Sequence, residues 1–580
     1  MNGLIRNIWG GTRHFLERRQ PLRLPDLLAI GLLAGIIYGI MSMGRQLTGV
    51  MRPTVEIDLS PLALPKYTLF SLSRGVLAYC LSLAFTLMYG LWAAKDKTAE
   101  RVLIPLLDIL QSIPVLGFMP GLILAMVSLF PESNLGLELA AVVMIFTGQA
   151  WNMTFSFYHS LRSIPAEMTE VSTVYRFNWW ERFNWVELPS ATMGLVWNSM
   201  ISMAGGWFFL MICESFVLGD KDFRLPGLGS YMHMAVEKGD TAAMAWAVTA
   251  MITMIVALDQ LVWRPVVVWA QKFRVEEGGH TEEMSSWFLD ILQRSKIVGL
   301  VEKSIRYVFL KRHKKPTLHP EKARRKNLAF HLLGFLPPLA ITALAVTLAT
   351  GAWKLAQLVG QMPSGEWLDI LAAAGMTLGR VIMAILLGTL WALPCGIAIG
   401  ASPRLSRMLQ PVVQIAASFP APMLFPAVIA LMLMMHIPLG WGSIILMLMG
   451  TQWYILFNII AGTMAIPADL REAAQSYRLR GWQKFRQLYF PAVLPYLVTG
   501  WVTAAGGAWN ASIVAEYVSY QQKTLTTFGL GAQISTAAEQ ADFPRLAAAV
   551  LVMSAVVVLV NRTLWQRLYT VAHERFSINR

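Results

Sequence analysis

The sequence predicts an all-α polytopic membrane protein of about 12 transmembrane helices, built as two tandem six-helix repeats. Three observations predict it. Of 580 residues, 56% are hydrophobic and only 14% charged, whereas a soluble globular chain is about one quarter charged. The apolar residues come in runs of about 20, the length at which a helix crosses roughly 30 Å of hydrocarbon. The chain also matches itself at a fixed offset. Together these exclude a soluble enzyme and a disordered chain.

Residues 1–65 hold an N-terminal segment and the first span, Leu27–Met43, which follows Arg6, Arg13, Arg18, Arg19 and Arg23. No small-x-small cleavage site follows, so this reads as a retained helix. Spans are then expected at 66–94, 105–130, 136–159, 190–218 and 243–270, and at 328–350, 368–400, 409–435, 440–463, 491–518 and 545–565. Lys and Arg near span ends favour the cytoplasmic side. The segments assigned inside hold 36 of them and those outside 8, which places both termini in the cytoplasm. The net charge of +14 is then a rim facing anionic membrane lipid, and no nucleic-acid partner is implied.

Residues 271–327 form a cytoplasmic amphipathic linker with 14 basic and 7 acidic residues. Thr281, Glu282 and Glu283 predict a helix start, and Met284, Trp287, Phe288, Ile291 and Leu292 recur at helical spacing. Such a helix either lies on the inner leaflet or docks a soluble partner. Residues 328–367 hold the first span of the second half.

Cys80, Cys213 and Cys395 are far apart and read as small core residues, the histidines show no metal-ligand spacing, and no Gly-Lys pair exists to form a P-loop. The chain is expected to bind no metal or cofactor of its own, and no catalytic constellation is visible.

At an offset of 302, Trp151 meets Trp453, Glu170 meets Glu472, Tyr175-Arg176 meets Tyr477-Arg478, Pro189 meets Pro491, Glu214 meets Glu516 and Gly227-Leu228-Gly229 meets Gly529-Leu530-Gly531. Upstream the offset is 306, pairing Arg74 with Arg380 and Ser112-Ile113-Pro114 with Ser418-Phe419-Pro420. The repeats are residues 66–270 and 368–570. Duplicated halves around a shared path suit alternating access, in which the halves rock about one site. A gradient-driven secondary transporter, an integral-membrane enzyme and a scaffold are the rival classes.

The loop from Ile466 to Pro491 opens with Pro467, Asp469 and Glu472, acidic groups that favour a helix N-terminus, and continues with basic residues interleaved with Trp482, Phe485 and Leu488. Glu472-Ala473-Ala474, Leu488 and Phe490-Pro491 resemble the E-A-A-x-x-x-G-x9-I-x-L-P loop of ATP-binding-cassette importer permeases. Glu170-Val171-Ser172, Val186 and Leu188-Pro189 keep the same span in the first half. The motif's glycine is replaced by Arg176 and Arg478. The Ser-x-Pro triplets, the arginines and the Glu followed by Gly-Leu-Gly are similar to the nitrate/sulfonate/taurine-type branch, here in duplicated, fused form. The resemblance implies an inner-membrane transport subunit for a small anion, two separate ATPase subunits that carry ATP and Mg, and an extracytoplasmic binding protein. It also implies that Glu170, Pro189, Glu472, Ala473, Ala474, Arg478 and Pro491 belong to coupling loops.

Within the spans, Arg74, Arg380, Glu214 and Glu516 each need a partner. They either hold the bundle as Arg–Glu pairs or set the field of an anion path. Pro114 and Pro420, after Ser112 and Ser418, either break a helix whose N-terminus faces an anion or make simple kinks. Trp151, Asn152, Trp453, Asn458, Trp509 and Asn510 are further path candidates, with helix-to-helix hydrogen bonding as the alternative.

Overall fold

The computed structural model describes residues 24–49, 54–219, 221–273, 286–294, 342, 346–347, 349–521 and 523–576. Helix α1, Leu24–Leu47, contains the expected first span. Repeat 1 then runs α2 (Leu64–Lys95), α3 (Lys97–Ser112), α4 (Val115–Leu129), α5 (Leu135–Arg162), α6 (Ala166–Val174) and α7 (Trp179–Cys213). The hairpin β1–β2 (Ser215–Leu218, Lys221–Arg224), α8 (Leu228–Glu237) and α9 (Thr241–Phe273) follow. After α10 (Trp287–Gln293), repeat 2 gives the same order: α11 (Glu366–Ala401), α12 (Pro403–Ser418), α13 (Ala421–Met434), α14 (Leu439–Met464), α15 (Ala468–Ser476) and α16 (Gly481–Ala515). Hairpin β3–β4 (Tyr517–Tyr520, Lys523–Thr526), α17 (Leu530–Glu539) and α18 (Phe543–Ala572) complete it.

The chain divides into two compact units, Met1–Ser42 with Thr281–Ala340, and Met43–His280 with Ile341–Arg580, so both repeats belong to one unit. In the first unit the predicted linker helix is present as α10, with Phe288 buried and Trp287 exposed; Thr281–Met284 lie outside the described residues.

Seven helices among the described residues are long and apolar enough to cross a membrane, and nine if each bent pair counts as one span. The count of twelve is not reproduced. Three expected spans are missing from that set: α1, α5, which has the length but carries Glu138, Gln149 and Asn152, and 328–350, most of which lies outside the described residues. Spans expected as continuous over 105–130 and 409–435 are each two helices. Helices α3 and α4 meet at 97° and α12 and α13 at 84°, with Pro114 and Pro420 in the breaks. A proline lacks the N–H a helix needs and pushes the preceding residue toward extended backbone, and Ile113 and Phe419 have ψ of 123° and 128°.

In each half the middle helix is enclosed by two others, α5 by α2 and α7, and α14 by α11 and α16. The halves also embrace: α9 packs on α12, and α18 on α3. Across that seam Gln414 Nε2 donates to Asp259 Oδ1 at 3.1 Å. Pro189 and Pro491 follow wide π-helical turns at Phe183–Glu187 and Phe485–Tyr489, where the ring's usual clash with the carbonyl four residues back is relieved.

Helices α6 and α15 end alike. Phe177 N–H donates to Ser172 O and Arg176 N–H to Thr173 O, and Leu479 and Arg478 repeat the pattern onto Ala474 and Gln475. This is a Schellman cap, whose penultimate residue is left-handed and normally glycine. Arg176 and Arg478 occupy it at φ 51° and 52°, which explains physically why the related motif has glycine there. Arg478→Gly is expected to stabilise the protein by about 1 kcal/mol, read as a raised thermal midpoint in detergent. A lowered midpoint would mean that the arginine side chain contributes more than its backbone strain costs.

Candidate functional site

Arg74, near the hairpin end of α2, is fully buried. Its Nε lies 2.6 Å from Glu138 Oε2, its Nη2 donates to Glu138 Oε1 at 2.7 Å, and its Nη1 donates to Glu214 Oε1 at 2.7 Å. Glu214 also accepts from Ser71 Oγ at 2.7 Å and from Gly229 N–H at 2.7 Å. The amide opening α8 thus completes the carboxylate's shell, and the helix dipole favours the negative charge. Repeat 2 builds a reduced version. Arg380 Nη1 meets Glu516 Oε1 at 2.7 Å, while Thr377 Oγ1 and Gly531 N–H donate to the same carboxylate. Gly440 stands where the offset puts Glu138, and Thr527 Oγ1 takes Arg380 Nη2 at 3.0 Å instead.

The repeated Gly-Leu-Gly seats this clasp. A Cβ at Gly227 or Gly529 would lie 2.3 Å from a carboxylate oxygen of Glu214 or Glu516, and one at Gly531 would lie 2.3 Å from Ser512 O. Arg74 with Glu214 and Arg380 with Glu516 thus each form a buried ion pair. None of the four lines the central cavity. Glu138 was missed. Its signal was a lone acid inside an apolar span, which matching one half to the other passes over because its counterpart is Gly440.

The cavity, about 250 Å³, lies between the halves. Ser112, Trp151, Asn152, Trp453, Trp509 and Asn510 line it; Ser418 and Asn458 do not, and Asn458 Nδ2 donates along its own helix to Tyr454 O. Gln111, Thr147, Ser202, Tyr454, Thr503 and Asn561 complete the polar lining. No Asp, Glu, Lys, Arg or His is among the described lining residues. The backbone is nearly two-fold but the chemistry is not: Asn152 faces Tyr454 across the offset, and Asn510 faces Phe208. Asn510 Oδ1 accepts from Val115 N–H at 2.7 Å, so a side chain of repeat 2 caps the broken helix of repeat 1.

At the opposite end, α6 and α15 project as short exposed helices. Glu170, Glu472 and Ala473 are exposed, whereas Ala474 is buried against Ile466, Leu488 and Ala492. The motif therefore has two faces: a small residue and an aliphatic one pack inward, and the glutamate points out. Ser172, buried in the first half, keeps the inward face small, and Val186 takes the place of Leu488.

The family model for the binding-protein-dependent transport system inner membrane component matches the chain twice, over residues 86–262 and 384–569. The bicarbonate transport system permease protein CmpB of Synechocystis is 30% identical over 186 residues, covering 32% of this chain and 63% of that protein. The nitrate import permease protein NrtB of Leptolyngbya laminosa is 25% identical over 156 residues, covering 25% and 50%. The taurine transport system permease protein TauC of Escherichia coli is 26% identical over 183 residues, covering 31% and 60%. The chain thus spans between one half and two thirds of these relatives' lengths.

Two substitutions probe the geometry. Arg74→Ala leaves two carboxylates buried without their cation and is expected to cost about 3–5 kcal/mol, more than Arg380→Ala, read as loss of monodisperse protein on size exclusion. Asn510→Ala removes the cap on Val115 and is expected to cost about 1 kcal/mol, read from a thermal melt of the purified protein.

Proposed function

We propose a function from an established premise: the chain belongs to the family of binding-protein-dependent transport system inner membrane components, with the family's domain present twice. In our reading the chain is the complete membrane pathway of an ATP-driven importer for a small anion, two membrane subunits joined in one polypeptide. The ATPase activity lies on separate subunits. The observation that carries the reading is the pair of exposed glutamates, Glu170 and Glu472, on equivalent short helices at one end of the molecule.

Each helix is packed against the end of its own half, so a push on it moves that half. Closure of two ATPases on ATP would press α6 and α15 together, and the halves would rock about the cavity between them. Glu170 and Glu472 contact the ATPases; Ala474, Pro189 and Pro491 act by fixing the helices' angle to the spans. The hairpin end, with the hairpins and α8 and α17, faces the extracytoplasmic binding protein. The Lys- and Arg-rich end faces the cytoplasm, the side to which the charge distribution of the sequence also assigns both termini.

The cavity suits transient passage. Indole N–H groups, carboxamides and hydroxyls can hold an anion by hydrogen bonds without the deep well that a buried arginine would make, so the ion can leave again. The relatives are named for bicarbonate, nitrate and taurine, two anions and a zwitterion that carries a sulfonate, which supports a small solute with an oxyanion group as the class.

Glu472→Ala is expected to lower affinity for the ATPase subunits about tenfold, a loss of ~1.4 kcal/mol, and to reduce ATP-dependent uptake in parallel while the purified protein stays folded. Unchanged association together with unchanged uptake would count against the coupling role.

A further inference from the structure

The two loop helices share a framework but not a charge. Residues 165–185 carry three acidic and two basic side chains, and residues 467–487 carry two acidic and five basic, a net of −1 against +3. Both present the same apolar knobs, Tyr175 and Trp180 in the first and Tyr477 and Trp482 in the second, all exposed.

Their attachment differs as well. In the first loop Arg182 Nε lies 3.0 Å from Glu187 Oε1, and Glu187 Oε2 lies 2.9 Å from Lys95 Nζ at the end of α2. Glu187 is buried, and Lys95 also stands over the Trp179 ring at 5.2 Å. One of the loop's two cations is therefore spent on a tether to the membrane bundle. In the second loop the offset places Tyr489 at Glu187's position, with Lys484 Nζ 5.3 Å from its ring. Arg478, Arg480 and Arg486 are exposed, and none forms an ion pair among the described residues.

Arg471 Nη2 ties the second loop as well, donating to Thr463 O at 2.9 Å at the end of α14, but a single protein surface cannot complement an acidic loop and a basic one equally, because the contact that attracts one repels the other. We propose that the two ATPase contacts are non-equivalent: the basic loop 467–487 seats in an acidic cleft and holds its ATPase electrostatically, whereas the acidic loop 165–185 holds its ATPase through apolar contact of Tyr175, Trp179 and Trp180. The inference rests on reading both loops as ATPase-docking elements.

The test is the mass of the full chain co-expressed with its cognate ATPase and purified in neutral detergent, measured as salt is raised. Screening shortens from about 10 Å at 0.1 M to about 3 Å at 1 M, so the electrostatic contact should fail first. Two ATPases per chain are expected at low salt and one at high salt. Arg480→Glu combined with Arg486→Glu should give one at low salt, with retention of the second ATPase down at least about tenfold. Trp180→Ala should weaken binding without changing its salt dependence. Loss of both ATPases at one salt concentration, or no effect of the arginine reversals, overturns the inference; the latter would assign those arginines to lipid headgroups. Failure of any ATPase to bind the wild-type chain at any salt would instead overturn the docking reading itself.

Discussion

A guanidinium and a carboxylate removed from water must meet and be fully hydrogen-bonded, or their burial costs several kcal/mol per charge. The hairpin end of each half is organised around that requirement. Arg74 and Glu214 join the first long helix of repeat 1 to the end of α7, and Arg380 and Glu516 do so in repeat 2. The glutamate lies where the chain leaves the bundle, so its remaining lone pairs reach outward, to the amides that open α8 and α17. Those amides can approach only because the residues around them are glycines. One ion pair thus fixes the hairpin, the short helix behind it and the two glycines of the motif.

The duplication set by this clasp is geometric, and the chemistry has drifted within it. Repeat 1 holds Arg74 with two carboxylates, and repeat 2 holds Arg380 with one carboxylate and a threonine hydroxyl. Asn510 caps the break between α3 and α4, while Phe208 occupies the corresponding place in the other half. Fusion permits such drift. Two separate identical subunits would have to accept each substitution on both sides of the axis at once, whereas one chain can place a carboxamide on one side of the cavity and a ring on the other.

Much of this was legible in the sequence. The offset of 302 gave the repeat, and the spaced Glu, small residue, aliphatic and proline gave the loop helices, because packing and capping act over a few residues and leave a local pattern. What escaped depended on contacts across the fold. Glu138 pairs with Arg74 over 64 positions and has no duplicate to mark it. Pro114 and Pro420 announced an irregularity, but a proline in the sequence does not state its angle, here 97° and 84°. Ser418 donates along its own helix to Gln414 O just as Ser112 does to Asp108 O, yet only Ser112 lines the cavity, and no local pattern distinguishes Asn458 from Asn152, which lines it too.

In the proposed function, ATP bound to separate subunits, rather than an ion gradient, drives this pathway. Uptake into proteoliposomes holding the chain and its ATPases, with the binding protein and a labelled anion outside and ATP inside, addresses it directly. Uptake should require ATP and survive ionophores that collapse every gradient. Uptake by the chain alone, driven by an imposed ion or proton gradient, would contradict the account.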